Sequence, residues 1–115
     1  MRRNKYGVAP KEERTSRDGI LFDSKGELKR WENLRLWQLK GDIRNLRRQV
    51  EYPLVINGET VGKYVADFVY EKKTQLENVW SENIEDYKGH DTAISILKRK
   101  MVKAIYGIEV RIIRG

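Results

Sequence analysis

Apolar residues recur along this chain at two spacings, about 3.6 in two stretches and 2 in four others. Over residues 23–41 the positions Leu28, Trp31, Leu34 and Leu39 fall on one broad stripe, which predicts a helix stopped by Gly41. Residues 47–56 carry Val50, Tyr52, Leu54 and Ile56 at period two, and Pro53 places that strand at an edge or a bulge. Asn57-Gly58 is a strong hairpin signal, and residues 60–70 are β-rich again. Residues 71–78 are polar and turn-like, and residues 79–88 form a third strand. Asp91 or Thr92 caps a second helix with the stripe Ala93, Leu97, Met101, Ala104 and Ile105. Gly107 ends that helix, and residues 108–112 read as a last strand. The expected order is α-β-β-β-α-β: antiparallel hairpins first, then two parallel strands joined by a right-handed helical crossover. An α/β fold with a mixed sheet flanked by helices follows.

Length limits the chain to one domain: 115 residues supply one modest core and no second. Residues 1–18 are polar and basic on balance and read as a mobile arm, leaving 19–115 as the domain. A formal net charge of +7 favours an acidic partner such as nucleic acid, although it also serves solubility alone. No cysteine is present, which removes disulfides, thiol catalysis and thiolate zinc together. His90 is the only histidine, so any metal must be held by carboxylates and carbonyls, as suits Mg²⁺ or Mn²⁺. No run approaches the roughly 20 apolar residues of a membrane span. The first residues show no signal-peptide pattern, and a cytoplasmic location is expected.

The candidate chemistry lies in acids set within apolar strands. Strand alternation puts Val65, Asp67 and Val69 on one face, opposite Tyr64, Ala66, Phe68 and Tyr70. In the next strand Ile84, Asp86 and Lys88 share a face, opposite Glu85 and Tyr87. Buried acids beside a lysine require compensation, by a metal or by a charge network. Acid-x-lysine is the shortest spacing that puts both side chains side by side on a strand. There a lysine can neutralise a phosphate or hold water while the acids hold a metal. A salt bridge at the strand end explains the same pair. A slip of one residue would turn Glu85 inward instead of Asp86. Glu27 is a third acid with two readings. It completes a capping box with Ser24, and it borders the apolar stripe where it can face the sheet.

Lys98, Arg99, Lys100 and Lys103 form a basic cluster on the second helix, and Arg44, Arg47, Arg48 and the arm's Arg2, Arg3 and Lys5 a second region. They suit phosphate contacts, while a solvated helix face accounts equally for any one of them. No glycine loop has phosphate-binding spacing.

The order of these residues resembles the PD-(D/E)XK nuclease superfamily, and more narrowly a family of small phage-encoded proteins akin to Holliday junction resolvases. The resemblance runs through Asn4-Lys5-Tyr6-Gly7, Asp18-Gly19-Ile20, Phe22-Asp23-Ser24-Lys25-x-Glu27 and Tyr64-x-Ala66-Asp67-Phe68. It continues through Glu85-Asp86-Tyr87-Lys88-Gly89-x-x-Thr92 to Tyr106-Gly107-Ile108-Glu109-Val110. It implies a restriction-endonuclease-like fold and Mg²⁺- or Mn²⁺-dependent cutting of branched DNA by a homodimer. Under it Asp67 and Asp86 hold the metal, with the Tyr87 carbonyl as a further ligand. Glu27 completes the site and Lys88 is the catalytic lysine. Ser24, Gln49 and Thr92 fall where accessory polar residues occur. The long polar segment 71–82 departs from the pattern. A flap- or nick-directed nuclease, or a DNA-binding phage protein that keeps the fold without cutting, are the alternatives.

Overall fold

The computed structural model describes residues 8–114, and the helix starts and stops follow the chemistry of their ends. Helix α1 spans Lys25–Lys40; Ser24 Oγ accepts the Glu27 N–H at 3.1 Å at its start. Gly41 ends it at φ +85°, a conformation in which a Cβ would be strained. Helix α2 spans Ala93–Tyr106, with Thr92 accepting the Ser95 N–H at 3.1 Å and Gly107 closing it in the left-handed region. Strands β1 (Ile43–Ile56), β2 (Glu59–Lys73), β3 (Trp80–Lys88) and β4 (Val110–Arg114) form one sheet in the order β1-β2-β3-β4. β1/β2 and β2/β3 are antiparallel and β3/β4 parallel, with α2 as the crossover. The chain is therefore α/β with a four-stranded mixed sheet and two helices, in the order α-β-β-β-α-β.

The helices cover opposite faces. Leu28, Trp31 and Leu34 of α1 pack on Phe22, Ile43, Phe68 and Tyr70. Val102 of α2 packs on Leu54, Tyr64, Ala66, Val69 and Ile84. Adjacent residues Phe68 and Val69 thus point into different cores, as alternation requires.

Several boundaries and faces differ from expectation. β1 starts at Ile43, because an irregularity between Arg44 and Arg47, with Asn45 at φ +53°, hides its first residues from any period-two pattern. β2 continues to Lys73, through residues expected in a turn. Leu39, placed on the inner stripe of α1, is 83% exposed. α2 is rotated from its expected stripe: Leu97 is 53% exposed and Val102 is the fully buried residue. Arg99 turns inward with it, held to Asp91 at 2.5 and 3.0 Å.

The arm expected over residues 1–18 needs correction at its inner end. Lys11–Arg14 form a 3-10 turn, and Thr15 bridges Leu21. Arg14 Nε donates to the Ala9 carbonyl at 2.9 Å and Nη1 to that of Phe22 at 2.8 Å. Ala9 and Ser16 are buried. This stretch is packed because one side chain satisfies two carbonyls of neighbouring segments. Residues 1–7 lie outside the described part, and Arg2, Arg3 and Lys5 with them. No helix among the described residues is long and apolar enough to cross a membrane.

Candidate functional site: an acidic seam between β2 and β3

Alternation along β2 breaks between Ala66 and Phe68, and Asp67 occupies that point. Tyr64 and Ala66 face the α2 core, but so does Val69, while Phe68 and Tyr70 face α1. One residue too many lies between Ala66 and Val69 for a regular period of two. The partner strand breaks at the same level. Arg48 pairs with Phe68 and Val50 with Ala66, and Gln49 between them has φ +53°. Gln49 Nε2 donates to Asp67 Oδ1 at 3.2 Å, so an amide side chain spans the level where the two strands are irregular. The expected grouping of Val65, Asp67 and Val69 on one regular face does not hold, because the sheet exchanges its faces here.

On the other side of Asp67 the ladder with β3 also ends. Its last pair is Phe68 with Glu85. Beyond it, side chains replace backbone bonds. The Tyr87 N–H donates to Asp67 Oδ2 at 2.9 Å, and the Asp67 N–H donates to Asp86 Oδ1 at 3.1 Å. Each aspartate thereby satisfies a backbone donor that the parted strands would otherwise leave unpaired.

The two neighbouring acids of β3 face opposite cores, and both are buried. Glu85, fully buried, accepts Arg30 Nε at 2.9 Å and Nη2 at 2.6 Å, and also the Tyr70 hydroxyl. Arg30 lies 5.0 Å over the Trp37 ring, which holds the guanidinium in place. Asp86 accepts the Tyr64 hydroxyl on the α2 side, and Lys88 Nζ stands 3.7 Å from Asp86 Oδ2. The register thus turns Asp86, not Glu85, toward Lys88, and gives Glu85 a cationic partner of its own.

Glu27 lies at the start of α1 and is buried beside the sheet. Its N–H meets the Ser24 cap, and its Oε2 accepts the Asp23 N–H at 3.3 Å, one residue before the position a regular capping box would use. Its buried carboxyl also lies within hydrogen-bonding reach of Asp67. Helix α1 can come this close to β3 because Gly26 has no side chain. A Cβ there would fall 1.8 Å from the Tyr87 hydroxyl oxygen.

Electrostatics mark this seam off from the rest of the chain. Burial, then the neighbouring Glu27 charge, push the Asp67 carboxyl up to about 6, against the pull of the Tyr87 N–H and Lys88. Glu27 is also raised, first by burial, with Arg48 among the groups opposing it. Asp86 is raised by burial and by Asp67, with Tyr64 and Lys88 pulling the other way. Three acids thus share a small region with too little positive charge. Among the described residues no group of three His, Cys, Asp or Glu side chains is arranged to hold a metal ion. The donor chemistry of the Glu27–Asp67 pair is nevertheless that of a hard divalent cation, which would relieve the charge excess without a shared proton.

The remaining expected residues divide. Ser24 and Thr92 both spend their hydroxyl oxygens on helix caps. Lys98 and Lys88 line a cleft of about 330 Å³ above Asp86, together with Lys63, Thr92 and Ser95. Lys100 and Lys103 lie on the exposed side of α2, and Lys103 pairs with Glu109 at 2.6 Å. Sequence reasoning missed the roles of Tyr64, which holds Asp86, and of Arg30, which holds Glu85. A tyrosine two residues after another strand position is an ordinary core residue by pattern. Only the cross-strand register shows what its hydroxyl meets.

A mixed α/β sheet whose two central strands part around buried carboxylates is the class of protein the fold and site define. A family model described as "Protein of unknown function (DUF1064)" matches residues 3–113, and the chain belongs to that family. No curated protein and no solved structure matches the chain significantly.

Proposed function

We propose that this protein is a metal-dependent endodeoxyribonuclease of the restriction-endonuclease-like class, cutting branched DNA such as four-way junctions as a homodimer. The observation that carries this reading is the parting of β2 and β3 at Asp67, with Glu27, Asp86 and Lys88 around the gap. The backbone donors these acids satisfy do not require three partly uncompensated charges at one point, whereas a phosphodiester site does. Asp67 and Glu27 would hold Mg²⁺ or Mn²⁺, with Asp86 and the Tyr87 carbonyl beside them. When bound, the ion supplies charge neutralisation at the phosphate and a more acidic water.

The chain's own residues do the rest. Tyr64 and the Asp67 N–H fix the Asp86 carboxylate, so it does not have to be ordered on substrate binding. Lys88, with its side chain 21% exposed, is accessible from the cleft and can hold a water or a phosphate oxygen. Gln49 keeps one Asp67 oxygen oriented. The net charge of +7 favours approach of DNA despite the acids.

One observation favours a second reading, a DNA-binding protein that keeps this fold without cutting. Asp86 is already engaged by Tyr64 and Lys88. Cleavage of labelled four-way junction, flap and linear duplex with Mg²⁺, Mn²⁺ or chelator separates the two, with D67N as control. Metal-dependent paired cuts at the junction, lost in D67N, are expected. Binding without cutting of any substrate would select the second reading.

A further inference from the structure

Among the described residues, one cation beside the seam is stacked on an aromatic ring but forms no ion pair. Arg48 sits on the α1 face of β1, paired in register with Phe68 and adjacent to Gln49, which holds Asp67. Its guanidinium lies 4.8 Å over the ring of Phe22, which is buried in the α1 core. Its Nε is buried and has no hydrogen-bond partner among the described residues, where no carboxylate forms an ion pair with it either. Residues 1–7 contain no acidic side chain that could supply one. Other arginines of this size of burial are answered: Arg30 by Glu85, Arg99 by Asp91, Arg14 by two carbonyls.

An arginine cannot shed its charge, so a partly buried guanidinium with no direct carboxylate contact is costly to keep. Stacking on Phe22 offsets some of that cost and also fixes the plane of the fork. Glu27 feels the Arg48 charge but is engaged with Asp67 and the Asp23 N–H. Its Nε is sealed inside, so only the outer Nη donors of this half-buried, ring-stacked guanidinium, at the rim of an acidic site, are left to meet the oxygens of a phosphodiester.

We propose that Arg48 grips a DNA backbone phosphate on the α1 side of the seam, beside the one presented to Asp67 and Lys88. The inference rests on the nucleic-acid reading above and adds a residue and a direction to it. DNA would approach across β1, with Arg48 on the α1 face and Lys88 on the α2 face bracketing the gap in the sheet.

The test is binding of fluorescent four-way junction and linear duplex by D67N, which removes one repulsive charge and prevents cutting. R48A, R48M and R48K are introduced into that background, and wild-type cutting is assayed in parallel. R48M keeps an apolar stem over Phe22, so it separates charge from packing. R48M should bind DNA about tenfold more weakly with an unchanged melting temperature. The slope of log affinity against log salt should fall by about one. R48K should recover only part of the affinity, because an ammonium cannot offer paired planar donors. R48M binding as tightly as its parent, with the same salt slope, would overturn the proposal and leave Arg48 a packing residue. Absence of any DNA binding by the parent would overturn it together with the nucleic-acid reading. Arg48-dependent binding with no cutting by the wild type would uphold it and reject only the nuclease.

Discussion

Glu85 and Asp86 are consecutive residues of one strand, both buried, and their surroundings differ in kind. Glu85 is met by both nitrogens of an arginine fork and by a tyrosine hydroxyl, so its charge is balanced and its lone pairs are used. Asp86 has a tyrosine, a backbone N–H and a lysine at 3.7 Å, and it shares that lysine's field with Asp67. Burial is therefore no guide to role. What separates a structural acid from a reactive one is whether the fold already supplies its counter-charge.

The contrast can be broken most directly at its acidic end. D67N is expected to lower single-turnover cutting of a junction by about a thousandfold, as removal of one essential electrostatic group does elsewhere. Its melting temperature at pH 7.5 should hold or rise. A loss of folding instead would make Asp67 as structural as Glu85. The converse change, E85Q, should destabilise the fold by about 3 kcal/mol in urea titrations, since it leaves Arg30 buried without its anion. The paired change R30M with E85M should recover much of that loss.

A smaller effect separates the two acids by pH. The folded pKa of Asp67, about 6, lies above its ordinary value of 3.8, so the folded protein holds a proton the unfolded chain has released between them. This contribution to stability is complete below about pH 4 and is lost as pH rises through 6. Wild type should lose roughly 2 kcal/mol relative to D67N across that window, after allowance for solvent around a half-buried side chain. Mg²⁺ should return that stability above pH 6, and a chelator should remove it again. Equal pH profiles for wild type and D67N would show that Asp67 carries no such strain. Smallest of all, Y64F should cost about 1 kcal/mol by leaving one Asp86 oxygen short of a donor.

How much of this was legible beforehand depended on whether the signal was local. Ser24, Gly41, Thr92 and Gly107 mark the helix ends through their own chemistry, and the structure keeps them there. Period-two runs located every strand, though not the start of β1, where the Asn45 irregularity breaks the pattern, nor the end of β2 or the bounds of β4, which runs Val110–Arg114 and not 108–112. The acids Glu27, Asp67 and Asp86 stood out because acids are scarce inside apolar runs. Their arrangement did not, since the exchange of faces at Gln49 and Asp67 depends on a positive φ at a residue that gives no warning of it. The turn of α2 that buries Val102 and exposes Leu97 was equally hidden, because the Arg99–Asp91 pair is decided by tertiary packing.

Gln49 has a consequence of its own. A residue with a side chain held at φ +53° gives up on the order of 1 kcal/mol that glycine would keep. Glycine, though, could not reach across to Asp67. The backbone therefore stays tense at the one spot where an amide must be aimed. A Q49G variant should fold more firmly and work less well, trading alignment for ease.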